Sequence, residues 1–217
     1  MINKEMDAMN FNQIHTNRKM FISKNRDKDH CIIYGNNSIL FSAPHGVTQV
    51  RLGKPKYCEI GSLATALCLQ QITHSHLIAK TKNNFDDANF DDVSPYKNSV
   101  LKLIQKNNIK YLLDFHGLSS KREIDVNLGT NLGNNIKNNE SIFNQLYQSL
   151  VSNGFTVSVD QPFMAGGRTI SGFAVAQCPK LWAIQIEINC SITNEPKNFD
   201  RFKKLISILT DWLNLLN

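Results

Sequence analysis

His45 and His116 each stand directly before a glycine at the end of an apolar run: SILFSAP leads into His45-Gly46, and YLLDF into His116-Gly117. A third run, AIQIEIN, carries Glu187 among isoleucines. Groups that bind metals or move protons are costly to bury without a partner. Two imidazoles and one carboxylate leave the fourth position of a tetrahedron to water, which is the pattern of a catalytic zinc. Glu59 is the acidic residue expected to complete the set, because it opens the helix after the His45 loop and can turn back towards it. Asp114 precedes His116 by two residues, so on a strand the two share a face and Asp114 can orient the ring. Glu187 shares a face with Gln185 and Asn189, while Ile184, Ile186 and Ile188 take the other. A carboxylate beside a metal-activated water suits amide hydrolysis, taking the water's proton and returning it to the leaving amine. The competing reading is an edge strand whose polar side meets solvent.

The remaining histidines, His15, His30, His74 and His76, read as ordinary hydrogen-bonded or surface residues. The His74-x-His76 pair lies at the entry to a strand, where a solvent-facing role is expected. Cys58 adjoins Glu59 but has no evident base nearby, which favours a structural thiol. The segment GTNLG lacks the spacing and the following Lys-Ser/Thr of a phosphate loop.

The elements that must position these groups follow from local pattern. CIIYG and SILFSAP are short β-rich runs about Asn36-Asn37, which predicts a hairpin. Residues 59–71 have helical spacing, HLIAKT reads as a strand, and Pro95 opens a helix through YKNSVLKLIQKNN. YLLDF, IDVNLGT, FTVSVD and LWAIQIEIN read as strands. Helices are expected over 141–151, stopping at Asn153-Gly154, and over 199–216. Strands alternating with helices predict an α/β fold: one three-layer α/β/α domain around a mostly parallel, mixed sheet. Residues 1–29 are expected to form a peripheral segment and residues 30–217 the domain itself.

The chain has 217 residues, 41% hydrophobic and 19% charged, which excludes a disordered chain and supplies a core. No apolar stretch reaches the ~18 residues of a membrane span, and the first residues do not resemble a secretory signal. Five scattered cysteines without a CxxC pair suggest a reducing, cytoplasmic setting. The net charge is +6, but the basic residues are spread along the chain and not interleaved with aromatics. That argues against a nucleic-acid partner. Oligomeric state is not legible.

SAPHG, RLGKPKYCEIG, DDAN, LLDFHG, DVNLGT and IQIEIN occur in an order that resembles the N-formylglutamate amidohydrolase family, over roughly residues 39–189. That family stands with the zinc carboxypeptidase-like and aspartoacylase-like hydrolases. The resemblance implies a phosphorylase/hydrolase-like sheet, one Zn2+ per chain on His45, Glu59 and His116, and Glu187 as general base. It further implies that Asp87 and Asn89 help to hold substrate, a small acylated amino acid or short peptide. In the carboxypeptidase-like enzymes an arginine follows that asparagine; here Phe90 takes its place. Arg168, Arg51 and Arg122 are the candidate replacements, each also readable as a structural or surface residue. Arg168 is favoured because Gly166 and Gly167 would let its loop close. Asn127 and Thr130 are candidates for the same cleft. The absent arginine leaves an alternative, a catalytically silent metal- or ligand-binding protein of the same fold.

Overall fold

Short apolar runs become strands buried on both faces. The computed structural model describes residues 10–137 and 139–216. Its main sheet has seven strands: β1 (His30–Ile33), β2 (Ile39–Ala43), β5 (His76–Lys80), β6 (Tyr111–Leu118), β7 (Val126–Gly129), β8 (Val157–Val159) and β9 (Trp182–Asn189). They lie in the order β1-β5-β2-β6-β9-β7-β8. The central four, β5, β2, β6 and β9, run parallel. β1 pairs antiparallel with β5 at one edge, and β7 runs antiparallel to β9 with β8 parallel beyond it. β3 (Gln49–Arg51) and β4 (Lys54–Lys56) form a separate hairpin.

Helices cover both faces. On one side α2 (Ile60–Thr73), α4 (Glu140–Ser152) and α7 (Phe199–Asn214) pack Leu63, Leu146, Leu205 and Trp212 in one cluster with Phe41, Phe115, Ile184 and Ile186. On the other, α3 (Pro95–Lys106) and α5 (Ile170–Gln177) set Val100, Leu103 and Ala174 in a cluster with Leu40, Ile78, Leu112 and Ala183. Local chemistry fixes the helix starts. Ser94 accepts from the Lys97 amide ahead of Pro95, and Thr169 accepts from the Gly172 amide. The short α6 (Cys190–Asn194) follows β9 directly. The fold is therefore a three-layer α/β domain around a mostly parallel mixed sheet. No described helix is long and apolar enough to cross a membrane.

Two local expectations are corrected. β1 and β2 do not form a hairpin, because β5 lies between them. The chain at Asn36 and Asn37 crosses the end of β5 instead of turning back. The Asn36 amide donates to His74 O, and Asn37 Nδ2 donates to Thr73 O and Ser75 Oγ. His76 does not face solvent. It is buried and accepts from the Gly35 amide through Nδ1, whereas His74 is exposed and ends α2 with a left-handed backbone.

Of the 1–29 segment, residues 10–29 are described, and they contain helix α1 (Phe11–Asn25), capped by the Asn10 side chain. Its Ile14, Phe21 and Ile22 pack against the larger core cluster. Arg18, only 9% exposed, donates from Nη2 to Gly46 O at 2.9 Å. α1 thus braces the loop that carries His45. Arg18→Ala is expected to lower the unfolding free energy by about 1.5–3 kcal/mol, the worth of a buried hydrogen bond to a charged group, read from denaturant melts.

Candidate metal centre

The sheet face under α3 and α5 changes character as its parallel strands run to their carboxyl ends. Leu40, Leu112 and Ala183 lie side by side there; two residues on, the same register holds Ser42, Asp114 and Gln185. One step further, His116 pairs with Glu187, and Glu187 with Asn127. The face is apolar where helices cover it and polar where a crevice forms, the usual place for ligands in such sheets. β9 is a buried central strand, so its polar row faces this crevice and not solvent.

His45 leaves the end of β2, and its loop returns so that the Glu59 amide donates to His45 O at 2.9 Å. Glu59 is the N-cap of α2 but does not cap it with its side chain. The carboxylate turns into the crevice instead, held by the Gly117 amide on Oε2 at 2.9 Å and by the Lys56 ammonium on Oε1. Packing by the chain itself requires glycine at Gly46 and leaves little room for a side chain at Gly117. A Cβ on Gly46 would lie 2.7 Å from Lys80 O, and one on Gly117 would lie 3.2 Å from Glu59 Cβ.

The two rings meet through their Nδ1 atoms, 3.1 Å apart, with His45 Nδ1 2.9 Å from Glu59 Oε1 and His116 Nδ1 3.2 Å from Glu59 Oε2. Each ring's far nitrogen faces a buried carboxylate: His45 Nε2 meets Asp87 Oδ1 at 2.9 Å, and His116 Nε2 meets Asp114 Oδ2 at 3.2 Å. With protons on Nε2 facing those carboxylates, both Nδ1 lone pairs would be directed at the Glu59 oxygens. Three acceptors so close together require positive charge between them. Carboxylates behind ligating histidines are the usual outer support of a metal, and the ligand atoms of His45, Glu59 and His116 lie within 4.8 Å of one another. The donor set fits a zinc-like cation.

The electrostatics show the same demand for positive charge, which protons on the rings also meet. Burial opposes charge on His116, but Asp114 and Glu59 outweigh it and hold the ring's pKa well above its usual value. Burial also works against a charged Glu59, and His45 and His116 reverse this, holding its pKa well below the carboxylate range. Asp87 is likewise lowered: burial is outweighed by His45 and by Arg51, whose Nε lies 2.7 Å from Oδ2. Glu187 differs. Burial dominates, the nearby His116 offsets it only in part, and its carboxyl is pushed up to about 7. Gln185 donates to Glu187 Oε1 at 2.8 Å, leaving its second oxygen outside that bond.

The crevice opens into a cleft of about 420 Å³ bordered by His45, Glu59, His116 and Glu187, by Arg51 and Arg168, and by Asn89 and Phe90. Phe163 and Met164 form part of its mouth, each about two-fifths exposed. Phe90 gathers the two arginines, with the Arg51 guanidinium 5.0 Å and that of Arg168 5.5 Å from its ring centre.

Other residues singled out in the sequence lie elsewhere. Asp87 is fully buried behind His45, supporting the ring. Arg122 is exposed, with its guanidinium over Phe163, and does not border the cleft. Asn127 binds Ser158 and Gln161 O, and Thr130 binds Asp160, so the structure puts both outside the cleft wall. Sequence reasoning missed Lys56 and the support given by Asp87 to His45. A lysine in an exposed hairpin carries no pattern of its own, and Asp87 lies in a loop without periodicity.

No family model matches the chain, and no curated protein does. Among solved structures, gene product Atu2144 from Agrobacterium tumefaciens is similar, with a TM-score of 0.66, 13% identity, and 87% of this chain and 96% of that one covered. An N-formylglutamate amidohydrolase from Ralstonia eutropha JMP134 has a TM-score of 0.61 at 12% identity, covering 86% and 97%. A bacteriophage poly-gamma-glutamate hydrolase has a TM-score of 0.56 at 14% identity, covering 87% and 89%. At such identities the likeness is one of fold, a fold found in hydrolases.

Proposed function

We propose that this protein is a zinc-dependent hydrolase of a linear amide bond in a small N-acyl amino acid or short peptide. The observation that carries the reading is the meeting of two carboxylate-backed imidazoles with Glu59, alongside Glu187 on the adjoining strand. The fold shared with the amidohydrolase and the poly-gamma-glutamate hydrolase supports it. His45, Glu59 and His116 would hold the ion. When bound, zinc supplies Lewis acidity, which lowers the pKa of water and polarises a carbonyl.

The chain's own groups do the rest. Glu187, buried and raised towards neutrality, takes a proton from the attacking water and returns it to the leaving nitrogen. Gln185 fixes the carboxylate's orientation. Arg51 and Arg168, held on Phe90 at the cleft wall, attract an anionic part of the substrate, and a cation there also opposes charge developing on the carbonyl oxygen. We place the protein in a reducing compartment, in keeping with its unpaired thiols at Cys31, Cys58, Cys178 and Cys190.

The test is elemental analysis of purified protein followed by hydrolysis assays on N-formyl-L-glutamate, other N-acyl amino acids, short peptides and poly-γ-glutamate, with and without chelator. About one zinc per chain and chelator-sensitive turnover support the reading; metal without turnover of any of these favours the silent alternative. Asp114→Asn keeps the shape behind His116 but removes its charge. It is expected to weaken zinc binding by ~10–100-fold in competition titrations against a chromophoric chelator.

A further inference from the structure

Lys97 lies on α3, 1% exposed, outside the metal centre and the cleft lining. A buried ammonium is normally matched by a carboxylate, yet Lys97 forms no ion pair among the described residues. Its Nζ instead donates to two backbone carbonyls, Asp91 O and, at 2.7 Å, Arg168 O, with the Phe173 ring 5.3 Å away. Those carbonyls belong to the two loops that form the arginine wall of the cleft. The first carries Asn89 and Phe90, the second Arg168 and Thr169. A second tie joins the same loops, since Asn89 Oδ1 accepts from the Ile170 amide at 2.8 Å. The side-chain pair between Arg168 and Asp92, at 3.1 Å, is largely exposed and contributes little. Within the second loop, Gly166 O accepts from the Thr169 amide and hydroxyl, while Gly166 and Gly167 have open space where a Cβ would stand.

We infer that Lys97 is a positioning residue, a charged staple that sets the Arg168 loop against the Phe90 loop and so fixes the arginine wall that receives substrate. This rests on the hydrolase reading for its kinetic consequence but not for its structural one. A lysine suits the role because its three N–H donors on a flexible stem can reach carbonyls in two directions.

The experiment compares wild type, Lys97→Met and Lys97→Arg, all zinc-loaded. In Lys97→Met the amides of Phe90, Asp91, Thr169 and Ile170 are expected to exchange ~10-fold faster or more, while those of Phe115 and Ile186 in the central strands keep their protection. With N-formyl-L-glutamate as probe, KM is expected to rise ~10-fold with a smaller fall in kcat and zinc retained, and Lys97→Arg to recover most of the loss. Unchanged exchange in both loops overturns the proposal, as does a fall in kcat together with lost zinc. Should Lys97→Met not fold, Lys97→Gln, which loses the charge and keeps two N–H donors on a shorter stem, serves in its place under the same criteria. If wild type turns over no acyl substrate, the hydrolase reading fails, and the exchange data still decide the role of Lys97.

Discussion

Glu187→Gln is expected to keep about one zinc per chain while losing ~10³-fold in kcat, within the ~10²–10⁴ that general acid–base catalysis contributes. The substitution is nearly isosteric, and the amide oxygen can still accept from Gln185 as Oε1 does now. Neither the strand nor the two ligand rings should move. What disappears is the carboxylate that borders the cleft beside His116 without belonging to the ligand group. The measurement pairs metal content with single-turnover kinetics on whichever acyl substrate the wild type cleaves. A variant that turns over at the wild-type rate would remove Glu187 from the chemistry, whereas one that loses its zinc would make it a structural member of the site.

His116→Ala should do the opposite, abolishing both metal and turnover. His116 is the hinge of the cluster: its Nδ1 meets His45 and Glu59, and its Nε2 meets Asp114. Deleting it removes a ligand outright, so the loss of zinc affinity should exceed the ~10–100-fold that follows from losing an outer carboxylate. It also leaves the buried Asp114 facing only Ser42 and Glu59 facing only His45, Lys56 and the Gly117 amide. The comparison with Asp114→Asn is therefore graded, weakened metal in one variant and no metal in the other. Equal zinc content in wild type and His116→Ala would refute the ligand assignment, with circular dichroism confirming that the variant is folded.

The convergence of His45, Glu59 and His116 was legible from where each stands relative to an element's end. An imidazole at the end of an apolar run is a cost that a fold meets by bringing partners together, and Glu59, opening the helix after the His45 loop, was placed to turn back towards it. Gln185 and Glu187 were visible for the same reason, as polar residues alternating with isoleucine. The strand order was less legible. β1 and β2 are neighbours in sequence with an asparagine pair between them, and a local reading makes them a hairpin; the pairing of each with β5 instead is a long-range choice. The support given by Asp87 was hidden because it lies in an irregular loop, and Lys97 because a lysine near the start of an amphipathic helix ordinarily faces water. What escapes a sequence reading is the tie between distant loops, where no repeat or period leaves a trace.

The mouth of the cleft is built from side chains that the packed layers hardly use. Phe163 and Met164 are about two-fifths exposed. Neither belongs to either of the two apolar clusters that hold the helices on the sheet. Under the proposed function, selectivity would fall on residues that the packed layers do not depend on, so exchanges at the mouth should alter substrate preference at little cost in thermal resistance.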